Sequence, residues 1–234
     1  MAWGVNTAMS ETTLYKVLGP NAESIHGGSG TWHLPNGKPG QWMPKITEPR
    51  CCKRGYHLVE LYSLPEWLRA NCTIYLAEGK GPKHSDGSGK TAFAQARLVR
   101  QLHISEQDLR LFAADCADHV LPIYEKQYPK DQRPRKAIEA ARAFARGEID
   151  RQAADAAADA AWAASGGAAA DAAMAASDAA ADMAAKAAAR AAARAAAAWA
   201  ARDAERRWQA DTLFTYLRDS ATNPDSETST LGPE

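Results

Sequence analysis

Large aliphatic side chains are scarce in this chain. Leu, Ile, Val and Phe together number 32 of 234 residues, well under the fifth below which a chain usually lacks the means to build a core. Disorder would also need a high net charge, and that is missing: 28 basic residues balance 28 acidic ones. Charge of one sign is therefore absent as a global field, so nucleic acid or an anionic membrane could be held only by a local patch. No uninterrupted apolar stretch approaches the ~18 residues of a membrane span, because Asp, Lys or Arg breaks the longest apolar tract every few residues. Met1–Ser10 lacks the basic flank and apolar centre of a signal peptide. These absences lead to the expectation of a soluble, cytoplasmic protein. Cysteine is sparse too. Cys51, Cys52, Cys72 and Cys116 form no C-x-x-C pair, which favours reduced thiols over a disulfide framework or a metal knuckle.

What is abundant is alanine, with 52 residues, of which 34 fall between Ala153 and Ala204. Alanine is the strongest helix former. Its methyl contributes only about 0.8 kcal/mol on burial, but its small size lets helix axes approach until backbones touch. Close-packed antiparallel helices follow, with Trp162, Met174, Met183, Trp199 and Trp208 expected to plug their ends and edges.

The chain divides into two parts. After a leader over 1–11, residues 12–103 read as short strands and turns. TLYKVL at 13–18, residues 56–61, 73–77 and 91–102 are the expected strands, the last also compatible with a helix. Residues 63–68 read as a short helix capped by Ser63, with Pro65 in its first turn. The stretches 26–30, 35–40 and 79–89 are glycine-rich and predict loops. At Ser105 the pattern changes. Ser105-Glu106-Gln107-Asp108 is a capping box, and Leu109, Phe112, Cys116 and Val120 recur at helical spacing. Pro122 is expected to kink or shorten this helix, and Tyr128-Pro129 to end it. Pro134 opens the next, with Ile138, Ala141 and Phe144 or Ala145 inside and Gly147 beyond its end. Ser165-Gly166-Gly167 separates a helix at about 149–164 from a longer one starting near 168. There Asp178, Asp182, Lys186, Arg190 and Arg194 place acids before bases, in keeping with the helix dipole. Residues 219–234 read as a disordered tail. The fold class is α+β: a small β-rich N-terminal domain, then an all-α, alanine-rich bundle over 104–218.

Candidate chemistry is thin. Gly87-Ser88-Gly89-Lys90-Thr91 ends like a phosphate loop, but the motif's first glycine would fall on His84, so a hairpin loop is the better reading. His26, His33, His57 and His84 share the β-rich part with three cysteines, without ligand spacing for zinc. No nucleophile elbow accompanies His26-Gly27-Gly28-Ser29-Gly30. Lys126 to Arg146 is locally basic, and Arg133, Arg135, Lys136 and Arg142 could meet an acidic partner. Asp131 and Glu139 interrupt the stretch and no aromatics interleave it, which disfavours nucleic acid. Ice binding is set aside because no threonine lies between Thr91 and Thr212.

Two stretches carry a resemblance. Residues 13–102, with TLYKVLGPN, IHGGSGTWHLPNGKPGQWMP, RGYHL and IYLAEGKG, resemble a domain of unknown function in bacterial and phage proteins. LRLFAADCADHVLPIYEKQYPKDQRPRKAIEAARAFARGEI at 109–149 resembles the helical domain of an immunity-protein-like family, in which an alanine- and tryptophan-rich tail follows. That resemblance implies a binding role and supplies no catalytic residues. A looser similarity, through Tyr15, Gly55-Tyr56-His57 and Glu78, is to NAD-binding folds such as ADP-ribosyltransferases.

Three functions compete. The first is a non-enzymatic binding protein of bacterial or phage origin, of immunity or counter-defence type, which occupies a partner protein or small ligand and needs no cofactor. The second is a nucleotide- or NAD-related protein or enzyme, with Trp32, Trp42, Tyr56, His57 and Glu78 around a pocket in the β-rich part. The third is a structural phage accessory that self-associates through its alanine helices.

Overall fold

Alternating apolar residues give Leu14–Leu18 the period of a strand, β1. Tyr56–Glu60 forms β2, Thr73–Ser85 β3 and Lys90–His103 β4. The computed structural model describes residues 13–25, 31–69, 72–163 and 199–219. Within them it is an α+β fold: an antiparallel sheet followed by helices. The strand order is β2-β1-β3-β4-β5, where β5 is the short Arg218–Asp219. β2 also pairs with β4, from Tyr56 opposite Phe93 to Val59 opposite Lys90. This extra pairing closes the first four strands into a ring.

The expected loop at 79–89 is mostly strand. β3 continues through Gly79 to Ser85, with an irregularity between Lys80 and Lys83. A Cβ on Gly79 would overlap the Phe93 ring. This glycine therefore serves close packing rather than a turn. Only the hairpin tip is a loop. Gly87 and Gly89 there have positive φ, and Ser88 N donates to Asp86 Oδ1 at 3.0 Å. The stretch that resembled a phosphate loop is this tip.

The helix expected at 63–68 is a 3₁₀ helix, Leu61–Trp67, preceded by Glu60 and lacking a side-chain cap. Ser63 does not cap it. Its buried hydroxyl donates to the Ser88 carbonyl and ties the helix to the hairpin tip.

Helix α1 spans Glu106–Gln127, and its capping box is present. Pro122 neither kinks it to a stop nor shortens it; the residue is exposed, and on the solvent side water can satisfy the freed carbonyl. Helix α2 is Arg133–Ala145, with Pro134 in its first turn and Gly147 at φ +73° beyond it. Helix α3, Arg151–Ala163, buries Ala154, Ala158 and Ala161, the close approach expected of alanine. Helix α4 is Trp199–Tyr216. Trp162 is 57% exposed and so does not plug the end of α3, whereas Trp208 packs on the core. The leader at 1–11, the helix expected from 168 with its charge stripe, Met174 and Met183, the Trp199 side chain and the tail beyond 219 lie outside the described residues.

The sheet has a core on each face. Tyr15, Val17 and Ile74 face α1, where they join Phe112 and Val120, with Leu213 of α4 in the same cluster. Their strand neighbours Leu18 and Tyr75 pack with Leu58, Trp32 and Met43 on the other side. Residues 31–50 cover that side, with Gly40, Met43 and Ile46 amides bonded to carbonyls of β4. No helix among the described residues is long and apolar enough to cross a membrane.

Candidate functional site

Two polar centres stand out, one on each part of the chain. The first surrounds the turn Arg50-Cys51-Cys52-Lys53-Arg54, which Arg50 and Arg54 close by backbone bonds. Cys52 adopts φ +62°, and its amide donates to His57 Nε2 at 2.9 Å. Lys90, carried in from β4, donates to Cys52 Sγ at 3.0 Å and pairs with Asp86 at 3.1 Å. The Cys51 amide donates to His84 Nδ1 at 3.3 Å, and its thiol to the His84 carbonyl at 2.9 Å. Burial, then the charges of Lys16 and Lys90, hold the His57 pKa down. The imidazole is thereby kept neutral and able to accept.

The four cysteines differ sharply. Cys52 is exposed and Cys51 half-buried, whereas Cys116 is buried. Burial raises the Cys72 thiol pKa and pushes that of Cys116 far up, which leaves both poorly reactive. Among the described residues no group of three or more His, Cys, Asp or Glu is placed to hold a metal ion. His26 lies outside those residues, and His33 is exposed.

The five residues expected around a ligand fall in three places. Trp32 and Tyr56 meet edge to face, 5.6 Å apart, and the Lys16 ammonium lies 5.0 Å from the Trp32 ring centre. Tyr56 donates to the Pro44 carbonyl at 2.9 Å. Trp42 is flanked by Lys80 and Arg97, 3.9 Å and 4.7 Å from its ring centre. Arg97 in turn pairs with Glu78 at 2.7 Å. His57 belongs with Cys52 rather than with Glu78.

The basic stretch is largely neutralised by acids of α1 and by Asp131. Arg133 pairs with Asp131, Arg135 with Glu125, and Arg142 with Asp115 and Asp118. Lys136 is exposed. The α2 surface is thus a mosaic of paired charges rather than a cationic stripe.

The second centre has no counterpart in the sequence reading. It lies where α1 meets α4. His119 Nδ1 is 2.6 Å from Glu205 Oε2, and Gln209 donates to Glu205 Oε1 at 2.8 Å. The Trp208 ring stacks on His119 at 3.8 Å, 6° from parallel. One turn earlier on α1, Asp115 accepts from the Tyr216 hydroxyl at 2.6 Å. Glu205 is buried, and the His119 side chain is 41% exposed. The only local signal was polar residues on a helix face that also carries Phe112 and Cys116. Their partners lie 86 and 101 residues away.

Residues 102–214, just under half of the chain, match the model of a family described as Imm-5 like putative immunity protein. The matched segment begins at the end of β4 and takes in α1 to α3 and most of α4. No curated protein and no solved structure matches the chain significantly.

Proposed function

We propose that this chain is a non-enzymatic, immunity-type binding protein whose helical part occupies a partner protein. The match of residues 102–214 to the immunity-protein family carries this reading. The exposed side of α2, with Arg133, Arg135, Lys136 and Arg142, is the proposed contact surface. Its arginines are already held in fixed geometry by Asp131, Glu125, Asp115 and Asp118. Preordered guanidinium groups lose little freedom on binding and can share their second face with a partner's carboxylates.

The test is co-expression with a toxin of the same genome. The protein should restore growth and co-elute with the toxin as a defined complex. Arg133→Glu combined with Lys136→Glu should weaken the complex at least tenfold, about 1.4 kcal/mol. Rescue without a complex, or a complex indifferent to both substitutions, overturns the reading.

A second reading is favoured by one observation: the half-buried Lys16 against the Trp32–Tyr56 pair. A cation beside aromatic faces suits a small anionic, nucleotide-like ligand in the β-rich part. Mass spectrometry of small molecules that co-purify with the protein would reveal it. In this reading His57 and Glu78 bind rather than catalyse, since each is engaged with a different neighbour.

A further inference from the structure

The zero net charge conceals an uneven distribution. Residues 12–103 carry 12 Lys and Arg against 6 Asp and Glu, whereas residues 104–234 carry 16 against 21. A basic half in a neutral chain is the electrostatic footprint of an anionic partner. Within that half Lys90 and Arg97 are paired with Asp86 and Glu78. Among the described residues none of Lys45, Arg50, Lys53, Arg54, Lys80 and Lys83 forms an ion pair with a carboxylate, and all six are exposed.

The fold gathers these six cations. Residues 40–46 run along β4, with the Gly40, Met43 and Ile46 amides donating to the Leu98, Ala96 and Ala94 carbonyls. The chain then reaches the turn 50–54, where the Cys51 amide donates to His84 Nδ1 of β3. Lys45 and the turn thus flank the half of the β3–β4 hairpin that carries Lys80 and Lys83. β1 pairs with β3 only as far as Ala77, and two lysines beyond it would by themselves do no more than guard an open edge. The cations of the covering segment need another reason. Trp42 supplies one. Its half-buried ring lies 3.9 Å from the Lys80 ammonium and 4.7 Å from the Arg97 guanidinium, so an aromatic plane interleaves the cations.

We propose that this face, from Trp42 to the turn 50–54 and the adjoining β3–β4 hairpin, binds single-stranded nucleic acid. This is independent of the immunity-type reading, which rests on the helices.

The six free cations meet phosphates, and each phosphate neutralised releases counterions. Arg97 is held by Glu78, but Lys80 is free to exchange the Trp42 ring for a phosphate. A base then stacks on the ring that Lys80 vacates. Duplex bases are already stacked on one another, so only a single strand gains this contact. An anionic bilayer would gain less: of the exposed large apolar residues described, Leu34 alone lies in this half, and insertion needs more apolar surface than that.

The test measures fluorescence anisotropy of a labelled oligothymidylate of about 20 nucleotides, and of a duplex of equal length, with the full-length protein. The single strand should bind at low salt, and its affinity should fall with salt at a slope of about −0.7 per phosphate engaged. Lys80→Glu combined with Lys83→Glu should weaken binding at least about tenfold and flatten that slope. Trp42→Leu should weaken the single strand about fivefold or more and leave the duplex unchanged. Arg133→Glu with Lys136→Glu, on α2, should change neither. Circular dichroism confirms that each variant is folded. No binding at low salt, a duplex held as tightly as the single strand, or a folded Trp42→Leu variant that binds like the original would each overturn the proposal. So would equal affinity for polyglutamate, or binding to phosphatidylserine vesicles without binding to the oligonucleotide.

Discussion

Lys16 shows how one residue can be at odds with its place in the chain. It sits in β1 between the buried Tyr15 and Val17, on the face covered by residues 31–50. Its ammonium donates to the His57 carbonyl at 3.3 Å and faces Trp32. One carbonyl and one ring replace a full hydration shell poorly, and burial pulls the Lys16 pKa down to about 8 from 10.5. Between these values the unfolded chain holds a proton that the folded chain has released. Stability linked to this group therefore rises with pH across the window from about 8 to 10.5, and is least favourable below it. Tyr15, with a pKa raised to about 12 by burial, acts in the opposite sense above pH 10. Comparison with Lys16→Met isolates the lysine. The stability of the original protein relative to the variant should be flat below pH 8 and climb from there to about pH 10.5, as read from urea midpoints. A constant difference across that range would mean that Lys16 is solvated like a surface lysine.

At the scale of elements, α1 is the strut to which α2 and α4 are fastened. Asp115 accepts from Arg142 of α2 at 3.0 Å and from Tyr216 of α4 at 2.6 Å. Both contacts are lost in Asp115→Ala. With Asp115 and Arg142 each about 30% exposed, solvent screens the ion pair, so the total loss should be about 1–2 kcal/mol, most of it from the tyrosine hydrogen bond. Arg142→Met should cost less in the Asp115→Ala background than alone, a coupling a double-mutant cycle would measure. Strict additivity would show that the contact is not energetically linked. The elements themselves were largely legible, because their signals are local. The capping box at Ser105, Pro134 in a first turn and Gly147 past an end each act within a few residues. Gly79 misled because its reason for being glycine, the Phe93 ring, lies on another strand. The polar centres were illegible for the same cause. His119 meets Glu205, and Cys52 meets Lys90, across 86 and 38 residues, and no spacing rule encodes such meetings. His57 is a candidate by its residue type alone, but the contact it makes, with the Cys52 amide, has no signal in the spacing.

For the whole molecule, the decisive feature is that sheet and helices share a core. Tyr15, Val17 and Ile74 belong to the same cluster as Phe112, Val120 and Leu213. The family match starts at residue 102, so a fragment cut there would strip the α1 side of its sheet partner and expose that apolar face. Among the described residues the helices have no second core to fall back on; the sheet keeps one on its other face, but the shared cluster is the larger, and the two parts should unfold together. Phe112, wholly buried at the junction, is the residue to probe. Phe112→Ala should cost about 3–5 kcal/mol. Native-state hydrogen exchange would show where the loss falls. If the core is common property, amides of β1 and of α1 should lose protection by the same free energy, since both exchange through one global opening. Protection retained in β1 while α1 is exposed would instead mean that residues 12–103 and 104–218 are separable domains, and that the family-matched helices fold without the sheet beneath them.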